Sequence, residues 1–162
     1  MNVLTVALVI LLAQQQRGYQ GAEEKLPQTV APQPIAFSHK QHATAAALAC
    51  LDCHAGAKLP VTAKCMACHR TIKAESAPIQ KLAAHAGGDR KIPWVRVYQI
   101  PSYVFFSHKA HLDAGAECRR CHGAVEERDK LWKETDISMG GCMDCHRKEK
   151  ASLDCNYCHD PR

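Results

Sequence analysis

Every cysteine in this 162-residue chain belongs to a copy of one pattern, Cys-x-x-Cys-His. The five copies are Cys50, Cys53 and His54; Cys65, Cys68 and His69; Cys118, Cys121 and His122; Cys142, Cys145 and His146; and Cys155, Cys158 and His159. No other feature restricts the fold as tightly. Residues i and i+3 share one face of a helical turn, so each pair of thiols points the same way, with an imidazole directly after it.

That arrangement matches a porphyrin. Two thiols on one face can reach the two vinyl groups of a single macrocycle and form thioethers, and the following histidine then stands under the iron as proximal ligand. The spacing is the c-type haem attachment signature, so five copies imply five covalently bound haem c groups. Two blander readings compete. A disulfide scaffold explains an even cysteine count in an exported chain, but not a histidine after every second cysteine. Structural zinc takes four ligands, usually two Cys-x-x-Cys pairs, and would leave one pair over and five histidines unexplained.

Composition points the same way. Aromatic residues make up 6% of the chain, and the 46% apolar share is swollen by alanine and by the cysteines themselves. Such a chain builds only a modest side-chain core, and small chains of that kind rely on disulfides, metals or cofactors. The formal charge of +5 raises the question of nucleic acid, but Lys and Arg form no run of five or more, so no nucleic-acid partner is expected. With two propionates and one ferric charge per haem, five haems would bring the oxidised protein to about zero.

Five further histidines remain: His39, His42, His85, His108 and His111. Five irons with five proximal histidines need five distal ligands, so the count suggests bis-histidine ligation throughout. Four of the five lie in a duplicated segment, Phe37-Ser38-His39-Lys40-Gln41-His42 and Phe106-Ser107-His108-Lys109-Ala110-His111. Each copy precedes a Cys-x-x-Cys-His motif, and histidines three apart could serve two different irons. For His85, Ser76 predicts a helix start with Pro78 in its first turn and Gly87-Gly88 ending it. Leu82, His85 and Ala86 would then share a face. Met139, three residues before Cys142, competes with His85 for the last iron, since methionine is also an axial ligand and raises the potential.

The chain reads as an internal duplication, residues 36–92 and 93–162, within one domain spanning 36–162. Residues 1–22 read as a signal peptide around the apolar run Val3 to Ala13, which is too short to span a bilayer, with cleavage after Ala13 or near Ala22. Residues 23–35 form a polar, proline-bearing extended lead. Trp94 to Tyr98 and Tyr103 to Phe106, bounded by Pro93 and Pro101, predict two short strands as a small hairpin. Residues 124–133 predict a helix carrying Trp132. The fold class expected is mostly irregular, with short α-helices around a haem-filled core.

The F-S-H-K-x-H segment a few residues before Cys-x-x-Cys-His resembles the class III cytochromes c, small multihaem proteins with little regular structure. The resemblance implies that His39 serves the haem at Cys50/Cys53 and His108 the haem at Cys118/Cys121. By the same analogy His42 would serve Cys65/Cys68, His111 would serve Cys142/Cys145, and His85 is left for Cys155/Cys158. Pro34 to Lys40, Trp94 to Val97, Phe105 to His111 and Met139 to Cys142 also resemble the pentahaem subunits of quinol-oxidising alternative complex III, over about residues 30 to 146.

The function expected is electron transfer in the periplasm, without catalysis, between redox partner proteins. A membrane quinol oxidoreductase is one such partner, which would bring the chain to the membrane surface. The rival is a multihaem reductase of a small oxyanion, which needs one iron with an open face. Pentahaem nitrite reductases resemble the chain in haem number, but they use Cys-x-x-Cys-Lys for that haem and are much longer. A chain of this size has a radius of gyration of about 14 Å, so five macrocycles inside it must lie nearly edge to edge.

Overall fold

Capping and thiol spacing dictate where regular structure starts and stops in this chain. The computed structural model describes residues 26–86 and 91–160. Within them the helices are α1 (His39–Thr44), α2 (Cys50–Cys53), α3 (Thr62–His69), α4 (Ala77–Ala83), α5 (His108–Asp113), α6 (Cys118–His122), α7 (Met139–Lys148) and α8 (Cys155–His159). Two 3-10 turns, Ala55–Ala57 and Val125–Glu127, follow α2 and α6. The longest helix has 10 residues, and everything between is turn or irregular chain.

The two histidine-pair segments start their helices in the same way. The Ser38 hydroxyl accepts from the Gln41 N–H at 3.0 Å and the Ser107 hydroxyl from the Ala110 N–H at 3.2 Å, which satisfies a backbone donor left free at a helix start. Ser138 does the same for α7 and Asp154 for α8. All five Cys-x-x-Cys pairs lie on helices, α2, α3, α6, α7 and α8, so the paired thiols do share a face.

What the fold lacks is a core of side chains. Among the described residues only Ile35 and Leu82, each 6% exposed, are buried apolar groups. Leu51, Leu59, Val61 and Tyr157 all stay more than half exposed. A polypeptide that leaves this much apolar surface uncovered forgoes the main favourable term in folding, unless another apolar body fills the space.

Three expectations are corrected. No strand forms among the described residues, so the hairpin at Trp94–Tyr98 and Tyr103–Phe106 is absent. The backbone there is paired elsewhere: the Gln33 side chain donates to the Val95 carbonyl at 2.9 Å and accepts from its N–H at 3.0 Å, and the Phe105 N–H donates to the Cys158 carbonyl at 2.8 Å. The helix over 124–133 shrinks to Val125–Glu127. His85 lies just past α4 rather than on it, since α4 ends at Ala83 and the His85 N–H bonds the Leu82 carbonyl at 3.0 Å in a closing turn. Ser76 is the N-cap residue and proline does sit in the first turn, while Gly87-Gly88 and the apolar run at Val3 fall outside the described residues. No helix among the described residues is long and apolar enough to cross a membrane.

The lost helix has a physical reason. Arg128 turns back on Glu134, with Nε to Oε1 at 2.7 Å and Nη2 to Oε2 at 3.2 Å, and its guanidinium lies over the Trp132 ring at 5.1 Å. Its carbonyl accepts from the Lys40 N–H at 3.0 Å. The segment is a strap tied across the chain, closed at Gly123, whose φ of +71° suits glycine and whose missing Cβ leaves room for Glu134. The Arg128 guanidinium beside Glu134 holds its carboxyl below the usual carboxylate range, against the cost of burial. That stability is therefore present above the ordinary carboxylate range and is lost as pH falls through the lowered value. Glu134→Gln should cost about 1–3 kcal/mol near neutrality. Thermal unfolding of the holoprotein against pH checks this: the gap from wild type should close on acidification, and a gap independent of pH would contradict the charged pairing.

Candidate haem sites

Each distal-histidine helix holds its two rings against two different motif histidines. The His39 ring lies 6.4 Å from that of His54, with planes 10° apart, and the His42 ring 6.0 Å from His69. From α5, the His108 ring lies 6.3 Å from His122, at 8°, and the His111 ring 6.1 Å from His146. An imidazole nitrogen binds a transition metal at about 2 Å, and the nitrogen lies about 1 Å from the ring centre. Two imidazoles on opposite sides of one iron therefore have centres roughly 6 Å apart, too far for direct contact and right for a metal between them.

The tautomers fit as well. The ring Nδ1 of His54 lies 3.0 Å from the Lys58 carbonyl, that of His69 2.9 Å from Ile72, that of His146 2.6 Å from Ser152 and that of His159 3.2 Å from Tyr103. Distal His42 and His111 do the same with the Ser38 and Ser107 carbonyls, at 2.8 and 2.9 Å. A carbonyl only accepts, so in each ring Nδ1 carries the proton. Nε2 is then left with its lone pair, which is how metal-bound imidazoles are set by their surroundings. Burial first, then His54 and His42, pushes His39 down to about 4. Burial, then His108 and His54, lowers His122. Both are neutral near pH 7, as a ligand must be.

Phe37 and Phe106 orient the distal rings. Each meets the first histidine edge-on, at 4.7 and 4.8 Å, and stacks on the second at 4.5 Å in both copies. The thiols cluster too. Burial raises Cys50, with Cys118 beside it adding to the effect. Burial raises Cys65, with Cys53 as neighbour; Cys121, with Cys145; and Cys142, with Cys121 and Cys158. All ten cysteines are free, and no three His, Cys, Asp or Glu side chains among the described residues gather as a zinc site requires. A porphyrin needs neither arrangement, because it brings four nitrogens of its own and asks the chain for two axial groups.

The His159 ring faces Tyr103 at 5.9 Å. His85 follows α4, which packs on the α3 that carries Cys65 and His69, and its Nδ1 is buried without a hydrogen-bond partner. The sequence also gave no sign of Tyr98's role. Its hydroxyl donates to the His122 carbonyl at 3.0 Å and accepts from the Glu134 N–H at 2.9 Å, and its ring meets His122 edge-on at 4.8 Å. The loop carbonyls that fix the tautomers carry no side-chain signal either.

Paired imidazoles beside two-thiol helices, in a chain with almost no core of its own, define a c-type cytochrome with several haems. Comparison with known proteins agrees. Residues 16–92 match the class III cytochrome c family, and residues 104–160 match cytochrome c7 and related cytochromes c. The chain is 31% identical, over 161 aligned residues, to the multihaem cytochrome c subunit of menaquinone reductase from Nitratidesulfovibrio vulgaris, covering 78% of this chain and 76% of that subunit. The chain belongs to the class III multihaem cytochrome c family, carries covalently bound haem c and works as an electron-transfer protein.

Proposed function

We propose that the chain carries five haems, one on each Cys-x-x-Cys-His motif, and passes electrons between a membrane quinol oxidoreductase and further redox proteins on the periplasmic side. The observation that carries the reading is the set of four imidazole pairs at 6.0–6.4 Å. Bound haem supplies one-electron chemistry at iron. The chain's own residues do the rest. The thiols of Cys50/Cys53, Cys65/Cys68, Cys118/Cys121, Cys142/Cys145 and Cys155/Cys158 would tether five macrocycles. His54 with His39, His69 with His42, His122 with His108 and His146 with His111 would close both faces of four irons. Closed faces exclude water and substrate, which favours a carrier over a reductase, and histidine pairs without methionine favour low potentials. The quinol partner is supported by the likeness to a subunit whose complex is named for menaquinone, and the exported location by the signal-like start and by the chemistry of thioether-bound haem.

His159 would hold the fifth iron from the proximal side. His85, whose Nδ1 is buried without a hydrogen-bond partner, is the first candidate for its other face, and Met139, one turn before Cys142 on α7, is the rival.

Mass spectrometry of the mature protein should show five haem additions and no thiol free to alkylate. Two additions or fewer would end the pentahaem reading. His85→Ala should open one iron in five to carbon monoxide in the reduced protein, while Met139→Ala should open none. The reverse pattern would give the fifth iron to Met139.

A further inference from the structure

Resting on the five-haem reading, we infer that the attachment motifs do not follow one another in space as they do in sequence: they form a single row in the order Cys65–His69, Cys50–His54, Cys118–His122, Cys142–His146, Cys155–His159. The motifs on α3 and α8 are its ends, where electrons enter and leave.

The order is built from four joins. Helix α1 offers His39 to His54 and His42 to His69. Histidines three apart on one turn are about 5–6 Å apart at Cβ, so the first two motifs are neighbours across α1. By the same logic α5 makes neighbours of the third and fourth motifs, through His108 to His122 and His111 to His146. Supporting this, the Arg120 guanidinium on α6 is paired with Glu149, just past α7.

The middle join is reciprocal. Helix α1 packs on the 3-10 turn Val125–Glu127 that follows His122, and α5 packs on the 3-10 turn Ala55–Ala57 that follows His54. The Ser38 hydroxyl donates to Asp129 at 2.6 Å, and the Lys40 N–H to the Arg128 carbonyl at 3.0 Å. Each half thus lays its distal-histidine helix against the other half's first motif, which sets Cys50–His54 back to back with Cys118–His122. The neighbouring Cys50 and Cys118 thiols agree with that contact.

The last join is made by the segment leading into α5. The Phe105 N–H donates to the Cys158 carbonyl at 2.8 Å, and the Tyr103 carbonyl accepts from His159 Nδ1 at 3.2 Å. One residue on, Phe106 meets both α5 histidines, His108 edge-on at 4.8 Å and His111 stacked at 4.5 Å, which brings the fifth motif to the end of the second pair. The Cys158 thiol acts on Cys142 of the fourth motif, which sets the fifth motif on the fourth's side, and α4 on α3 closes the far end.

The order has a consequence that the sequence conceals. His69 and Cys118 belong to consecutive motifs, yet the first motif stands between them in space, so the first and third positions are the bridge that every electron crossing the protein must use. Two-dimensional proton NMR of the fully reduced holoprotein tests this, each haem being assigned through its own motif residues. Inter-haem cross-peaks should link second to first, first to third, third to fourth and fourth to fifth. A cross-peak linking second to third, second to fifth or first to fifth, or no cross-peak between first and third, would overturn the order. Fewer than five sets of haem resonances would instead bring down the haem count on which the order rests.

Discussion

Two imidazoles held about 6 Å apart, the separation that an iron bound between them would set, are the constraint on which the rest of this structure depends. Each ring is fixed by a hydrogen bond from Nδ1 to a nearby carbonyl, as at Lys58, Ile72 and Ser152, or by an aromatic wedge, as at Phe37 and Phe106. Because a carbonyl cannot donate, the local backbone decides which nitrogen keeps its lone pair. Short helices suffice for this task. They need only present two thiols on one face, or two histidines three apart, and then stop.

The near absence of a side-chain core follows from the same design. Burying an apolar side chain is worth about 1.5–3 kcal/mol, and here only Ile35 and Leu82 collect that fully among the described residues. Haem supplies the missing apolar body, and a thioether-bound group cannot dissociate when the chain loosens. Apolar side chains such as Leu51 and Val61, exposed in the polypeptide, are then available to line the macrocycles. The strap of Arg128, Trp132 and Glu134 adds a polar tie that reaches α1 through the Lys40 N–H on the Arg128 carbonyl, and Tyr98 anchors His122 beside it.

Much of this was legible in the sequence, because the chemistry of the site is written in side chains at fixed spacing. The five motifs, the Phe-Ser-His-x-x-His repeat and the caps at Ser38 and Ser107 each act within a few residues of their own position. What stayed hidden depends on distant partners. Trp94–Tyr98 has the composition of a strand, but Gln33 takes its backbone bonds and no second strand is offered. Residues 124–133 have helical composition, but Arg128 pairs with Glu134 across a loop instead of along a helix. His85 reads as helical and haem-facing, yet α4 ends before it. The order of the motifs in space was equally out of reach, since it is set by how α1 and α5 cross-pack on the turns after His122 and His54.

A protein of the class III multihaem cytochrome c family that spends so little of its chain on a core should not fold without its cofactor. The most direct measurement compares far-ultraviolet circular dichroism and amide hydrogen exchange of the polypeptide made without haem attachment with those of the mature protein. The account expects the unloaded chain to be unstructured and to exchange rapidly throughout, with cooperative structure only after attachment. An unloaded chain that folded cooperatively, with protected amides in α1 and α5, would contradict it.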